Sequence, residues 1–357
     1  MNRIHFSKQQ LRTPWGRCAL WWTGLIAFKV VTAIFPMLTT KLLGAYWYPF
    51  EHLITRFICG SFGCSIGDIL YAMALIYMIL KLVFRRRTPW SWPKFYMRIA
   101  QAYALFWLCW GFQYDQPPQL PLSETLDTPQ HQQQLFILAQ QLVDQTNQQW
   151  APAQQHPLDF TALEGQTGVF YQAHKAVQSW PKAWCALSPG VPLMLKPSGL
   201  SQGITRMGFG GYLNPFTLES QVNMHQPQVL IPAVACHELA HQQGIASEGM
   251  CNYMSYWATQ HSGHPAMAYS GSLSMLRYAL AAVQTTQPQG YQKLRLQLCA
   301  GVQADLLSIK AFWQQHQNPA QTFFIAFYDH FLQWNHEPKG VEAYAECLQL
   351  LLQHPIQ

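Results

Sequence analysis

The residues best suited to chemistry lie in the stretch HELAHQQGIASE, residues 237–248. His237 and His241 are four apart, so on a helix both imidazoles project from one face. Glu238 is rotated from His237 by about 100° around the axis. It can reach a water beside a metal without ligating that metal. Two neutral imidazoles on Zn²⁺, with the adjacent Glu as general base, is the chemistry of H-E-x-x-H. The plain alternative is a helix that carries two histidines by chance. A catalytic zinc needs a third protein ligand and an open position, and Glu248 is the candidate. On an unbroken helix it would lie about 10 Å beyond His241, too far to share an ion. The chain must therefore turn back, and Gly244 stands where a helix closes in the left-handed conformation. Ser247 is a poor ligand; Glu248, opening the next helix, is a better one.

A helix over 229–243 is needed to carry the histidine pair. Leu230 and Val234 extend its inner face, and Pro232 falls in its first turn, where no amide is required. Helices are expected after it over 247–261, 265–285, 289–299, 302–316, 322–334 and 339–353. Before it, residues 191–225 are punctuated by glycine and read as short strands, among them PLMLK and SQVNM. GFGGYLNPF is no phosphate loop, because it lacks the Lys and the strand–loop–helix context. Upstream, Thr128-Pro129 opens a helix to about residue 149. Residues 151–157 read as a break, 161–180 as a further helix and 115–122 as an extended Pro-rich exit.

Half of the 357 residues are hydrophobic and only 11% are charged, against about 25% in soluble domains. Part of the chain is therefore expected in lipid. Residues 1–112 carry 13 Lys and Arg against two acids, and residues 113–357 carry 9 against 14. The net charge of +6 thus belongs to the first third and does not mark a nucleic-acid binder. Apolar runs over 19–38, 66–84 and 95–114 have the length of bilayer spans, the last requiring Arg98 to snorkel. Basic residues precede the first run and fill the loop at 85–98. The positive-inside rule then places the N-terminus in the cytoplasm and residues 115–357 outside. Lys29, within the first run, either faces a partner helix or snorkels. Ser65 and Asp68 have close to a capping-box spacing at the start of the second. The nine cysteines show no disulfide framework and read mostly as buried thiols.

Blocks along the chain resemble a bacterial family of three-pass membrane proteins, catalogued as a domain of unknown function within the zincin metallopeptidase (Peptidase MA) clan. They are SIGDILY at 65–71, WGFQY at 110–114, GYLNPFTLESQVN at 211–223, HELAHQQGIASE at 237–248, YSGSLSMLRYAL at 269–280 and GVEAYAECLQLLL at 340–352. The resemblance implies a mainly α chain. A three-helix transmembrane region (1–114) and a linker with one helix (115–160) would precede an α+β zincin-like domain (161–357), which has a small sheet and a helical C-terminal part. It also implies zinc, a bacterial inner-membrane location and an extracytoplasmic site. The wider clan includes members whose third ligand is the Glu of a later E-x-x-x-D. Glu248 and Asn252 are similar, with Asn for Asp, and Asn252 would orient a ligand. The chain departs from the family where an Arg and a short acidic run usually follow the glycine; here stand Ser247, Glu248, Gly249 and Met250.

Zincins take peptide along an edge strand, a role open to SQVNM, which is otherwise an ordinary core strand. Tyr269, Arg277 and Tyr344 are the family-block candidates for stabilising an oxyanion. His225, His261 and His264 read as surface residues. The expected function is a gluzincin-like, membrane-anchored zinc hydrolase of peptides with Glu238 as base. The alternative is an inactive zinc-binding ectodomain that recognises peptide or envelope components.

Overall fold

The computed structural model describes residues 13–84, 91–122, 129–188, 191–335 and 345–356. Within them the chain is mainly helical, with one small sheet. The first third forms α1 (Pro14–Ile34), α2 (Pro36–Thr39), a π-helical segment (Thr40–Trp47), α3 (Tyr48–Cys59), α4 (Ile66–Val83) and α5 (Trp92–Cys109). The apolar run over 19–38 is not one straight helix. A proline has no amide hydrogen with which to continue the ladder, and α1 stops at Ile34, two residues before Pro36. Pro14–Thr32 and Met37–Cys59 meet at a bend of 96° and are apolar enough for a span only as a pair. Among the described residues, α4 is the one helix long and apolar enough by itself to cross a membrane. The third run forms a shorter helix than expected, since after Cys109 the chain tightens into a 3₁₀ turn over Gly111–Asp115. Lys29 has found a partner: its Nζ lies 3.3 Å from Asp115 Oδ2 and 5.2 Å from the centre of the Trp107 ring.

Then follow α6 (Pro129–Gln155) and α7 (Val169–Ala176). The Gln-rich α6 buries Leu135, Ala139, Leu142 and Val143 at helical spacing. It continues through the expected break because Pro152 falls in its last turn, so the helix ends just after it. The helix expected over 161–180 is reduced to α7. Asp159 Oδ1 instead accepts from the amides of Thr161 and Ala162, a local turn that competes with helix.

Three strands, β1 (Leu195–Pro197), β2 (Gly211–Leu213) and β3 (Ser220–Val222), form a sheet of order β1-β3-β2. β1 pairs parallel and β2 antiparallel to β3, with Tyr212 opposite Gln221. SQVNM is therefore the central strand, buried and paired on both sides, and not a peptide-accepting edge. β2 is the edge strand towards the histidine pair. A short α8 (Ser201–Met207) links β1 to β2. The C-terminal half is α9 (Ile231–Gln242), α10 (Glu248–Gln260), α11 (Pro265–Thr286), α12 (Pro288–Gln297), α13 (Ala300–Gln315), α14 (Pro319–Trp334) and α15 (Glu346–Gln353). α11 packs along α6, and α10 packs on α9. One apolar cluster joins Tyr48, Trp107 and Phe112 to Ile231, Leu239 and Leu276, so the N-terminal helices and the site-bearing half share a core.

The start of α4 is fastened to the sheet. Ser65 Oγ caps it by accepting from Asp68 N at 2.9 Å. Asp68 then accepts from Ser198 Oγ, Gly199 N and the hydroxyl of Tyr212 on β2. Glu219 accepts from the amides of Ile66 and Gly67 at 3.2 and 2.7 Å, a carboxylate at a helix N-terminus where orphan amides and the helix dipole favour it. Lys196 Nζ stands 2.7 Å from Glu219 and also donates to the carbonyls of Cys59 and Cys64.

Candidate metal centre

α9 is almost entirely buried. Its seat on the sheet is polar: Ser220 Oγ donates to Glu238 O, and the Gln242 amide bonds both polar groups of the Met194 backbone. The helix ends as the glycine suggested. Gly244 has φ 87°, its amide donates to His241 O, and Ile245 N donates to Ala240 O. That 6→1 and 5→2 pair is the Schellman closure. A Cβ on Gly244 would stand 3.0 Å from that of Ala186. Gly244→Ala is therefore expected to cost at least about 1–2 kcal/mol from the left-handed backbone alone, with crowding added. Thermal unfolding of the purified variant checks this; an unchanged midpoint would contradict it.

The reversal brings Glu248 back over α9. Ser247 is the N-cap of α10, accepting from Met250 N, which explains a residue that could not serve as ligand. Met250 is buried in the core, and the carboxylate is supplied by Glu248. Glu248 Oε2 lies 3.1 Å from His237 Nε2 and 3.4 Å from His241 Nε2. One ligand atom from each of His237, His241 and Glu248 falls within 4.8 Å of the others.

The outer nitrogens are also engaged. His241 Nδ1 is 2.8 Å from Ile245 O. A carbonyl only accepts, so Nδ1 carries the hydrogen and the neutral ring presents a bare Nε2 to the cluster. His237 Nδ1 meets Asn252 Oδ1 at 2.9 Å, and Asn252 Nδ2 donates to Tyr278 Oη at 3.2 Å. Asn252 thus bridges the first imidazole and Tyr278. Tyr328 on α14 donates to Glu248 Oε1 at 2.6 Å, leaving Oε2 for the histidines.

Electrostatics favours a cation here. Burial alone would raise Glu248, yet the His241 and His237 imidazoles hold it well below the usual carboxylate range. Burial disfavours a charged His241, yet Cys251 and Glu248 beside it push its pKa well above that of an ordinary imidazole. Both shifts express one attraction, between the imidazoles and the Glu248 carboxylate; a divalent ion between the three groups would take the place of that positive charge with both rings neutral. The donor set of two imidazoles and one carboxylate is that of catalytic zinc sites, so the residues fit the ion.

Glu238 is buried, its Oε2 accepts no hydrogen bond among the described residues, and burial pushes its pKa up to about 7. Gly211 on β2 makes that position possible, because a Cβ there would stand 2.7 Å from Glu238 Oε1. Two cavities meet at His237, Glu238, Phe209 and Gly211. The larger, about 530 Å³, is bordered by Gln226, Arg277, Tyr278 and Gln317. The smaller, about 270 Å³, also reaches His241 and Glu248 and is walled by Tyr71, Trp110 and Tyr328.

Of the expected oxyanion groups, Arg277 lines the larger cavity, and Tyr344 lies outside the described residues. Tyr269 is not at the site: its hydroxyl donates to Asp305 on α13 at 2.5 Å. His225 and His261 are exposed, and His264 caps α11 through Ala266 N. Sequence reasoning missed Tyr278 and Tyr328. Tyr278 was within reach, lying in the quoted YSGSLSMLRYAL block; Tyr328 carries no local signal, being 80 residues from its partner.

No curated protein and no solved structure matches the chain. A family profile described as "Protein of unknown function (DUF3810)" matches residues 44–352, which include α4, α5, the sheet and every residue of the site. The chain belongs to the DUF3810 family.

Proposed function

We propose that this protein is a membrane-anchored zinc hydrolase of peptides, with His237, His241 and Glu248 as the metal ligands and Glu238 as general base. The observation that carries the reading is the convergence of three ligand atoms within 4.8 Å beside a buried carboxylate oxygen that has no hydrogen-bond partner among the described residues. Bound zinc would activate a water and polarise a scissile carbonyl. The chain's own part is more specific. Asn252 and the Ile245 carbonyl hold the two imidazoles in the tautomer that turns an unprotonated Nε2 towards Glu248. Tyr328 fixes the Glu248 carboxylate. Glu238, raised towards neutrality by burial, can take a proton at Oε2 and return it to a leaving amine. Tyr278 and Arg277, at the border of the larger cavity, are the groups placed to meet negative charge on a carbonyl oxygen.

Two observations support the membrane anchor. Only 11% of the apolar window in α4 is buried inside the protein, whereas a soluble core helix would be covered. Lys81, Lys94 and Arg98 lie at the end of α4 and α5 away from the site. The positive-inside rule then puts the site outside the cytoplasm, at the inner membrane of a bacterial cell. The zincin-like domain and the three-pass topology are part of the same proposal.

The test is hydrolysis by the zinc-loaded, full-length protein in lipid vesicles, offered a mixture of denatured polypeptides. New amino termini, detected by mass spectrometry and abolished by a chelator, are expected. Stoichiometric zinc with no new termini would contradict the hydrolase reading and favour a zinc-binding ectodomain that recognises peptide.

A further inference from the structure

The smaller cavity is built from the helices that carry the exposed apolar surface. Tyr71 comes from the second turn of α4, Phe106 and Trp110 from the end of α5, Tyr114 from the turn beyond it, and Phe331 from α14. Tyr71 is five residues into α4, about 8 Å along its axis, so it lies within the apolar window of Ile66–Val83. Outside the cavity, α4 exposes Ile69, Met73 and Leu75, and α5 exposes Leu105 and Leu108.

α14 extends that surface. Phe323, Phe327 and Trp334 are more than half exposed and recur at spacings of four and seven, one helical face. The flank beside that face packs Phe331 on Phe106 and, further round, holds Tyr328 on Glu248. Trp334 stacks on Tyr103 of α5 at 5.8 Å. The apolar exterior of α14 is thus continuous with that of α5, while its interior forms part of the wall beside the metal ligands. The larger cavity, on the other side of Glu238, is bordered by Gln226, Asn252, Arg277, Gln317 and Gln321. β2, the edge strand, lies between the two: Gly211 lines both, and Tyr212 and Leu213 line the smaller.

We propose that the substrate is a membrane-anchored polypeptide, bound where its apolar segment gives way to a polar one. Residues on the anchor side fill the aromatic cavity between α4, α5 and α14, and residues on the polar side fill the cavity bordered by Arg277 and Gln317. This rests on the hydrolase reading for the chemistry of cleavage but not for the mode of binding. A site about 8 Å inside one end of a span lies near the surface of a hydrocarbon core about 30 Å thick. It can therefore receive the emerging segment of a neighbouring anchor without drawing the anchor out of the lipid. A freely soluble peptide must fill the aromatic cavity from water and gains no such placement.

The test uses full-length protein, Glu238→Gln or wild type held in chelator so that the probe stays intact, in phosphatidylcholine vesicles. One probe is a peptide with an apolar anchor of about 20 residues and a polar tail. It carries benzoylphenylalanine just before or just after the junction. A second probe is the tail alone with the same photolabel. The anchor-side label is expected on Tyr71, Phe106, Tyr114 or Phe331, and the tail-side label on residues 226, 277 or 317–321. The soluble tail should label at least about tenfold less, the factor expected from one unburied aromatic side chain. Equal labelling by the soluble tail, or anchored labels scattered over α4 and α5 outside the cavity, overturns the proposal. Wild-type, zinc-loaded protein is then offered the same peptides unlabelled. Mapped labels without cleavage leave the binding mode standing and remove the hydrolase; cleavage of both probes at equal rates does the reverse.

Discussion

Replacing Glu238 by Gln is expected to lower peptide hydrolysis by about 10²–10⁴-fold, the usual worth of a positioned general base, with zinc content unchanged. The amide keeps the volume and burial of the carboxylate, so packing against Gly211 is preserved. What it loses is the ability to accept a proton at Oε2, an atom with no hydrogen-bond partner among the described residues. Glu238 is not one of the three clustered ligands, which is why metal and activity should separate in this variant. Loss of zinc together with activity would make Glu238 a ligand. Full activity would mean that another group is the base.

The largest expected effect on stability lies away from the chemistry, at Glu219. This carboxylate is fully buried and serves the first amides of α4, Thr217 and the Lys196 ammonium. Glu219→Gln leaves Lys196 as a buried charge without its counterion. Breaking a buried pair from one side costs about 3–5 kcal/mol, and the N-terminus of α4 loses its anion as well. A large fall in the unfolding midpoint is expected in detergent. Adding Lys196→Met should recover part of it, because the stranded charge is then gone. Single variants that are additive would show that the pair does not couple.

The geometry of the candidate site was legible because its parts are local. Four-residue spacing on a helix sets the two imidazoles, and Gly244 announces the reversal that returns Glu248. Asn252 follows Glu248 by one helical turn, so its face follows as well. Most of the C-terminal helices appeared within a few residues of their expected bounds. Contacts between distant segments were not legible. The roles of Tyr328 and Glu219 depend on partners 80 and 152 residues away, and no periodicity encodes those. Tyr269 shows the converse: a polar group in a suggestive block turns to Asp305 because a buried hydroxyl takes whichever partner the packing offers. SQVNM could not be ranked as edge or centre, since alternation describes a strand and not its neighbours. Counting apolar residues also overlooked Pro36, which has no amide hydrogen to carry a helix through a run that composition alone reads as continuous.

The central claim is that His237, His241 and Glu248 together hold one zinc ion. Its most direct test is elemental analysis of the purified full-length protein beside Glu248→Ala, both equilibrated against a weak competing chelator. The account predicts one zinc per wild-type chain and loss of most of it from the variant, with helical content unchanged. Equal zinc in both proteins, or none in the wild type after exposure to excess metal, would contradict it.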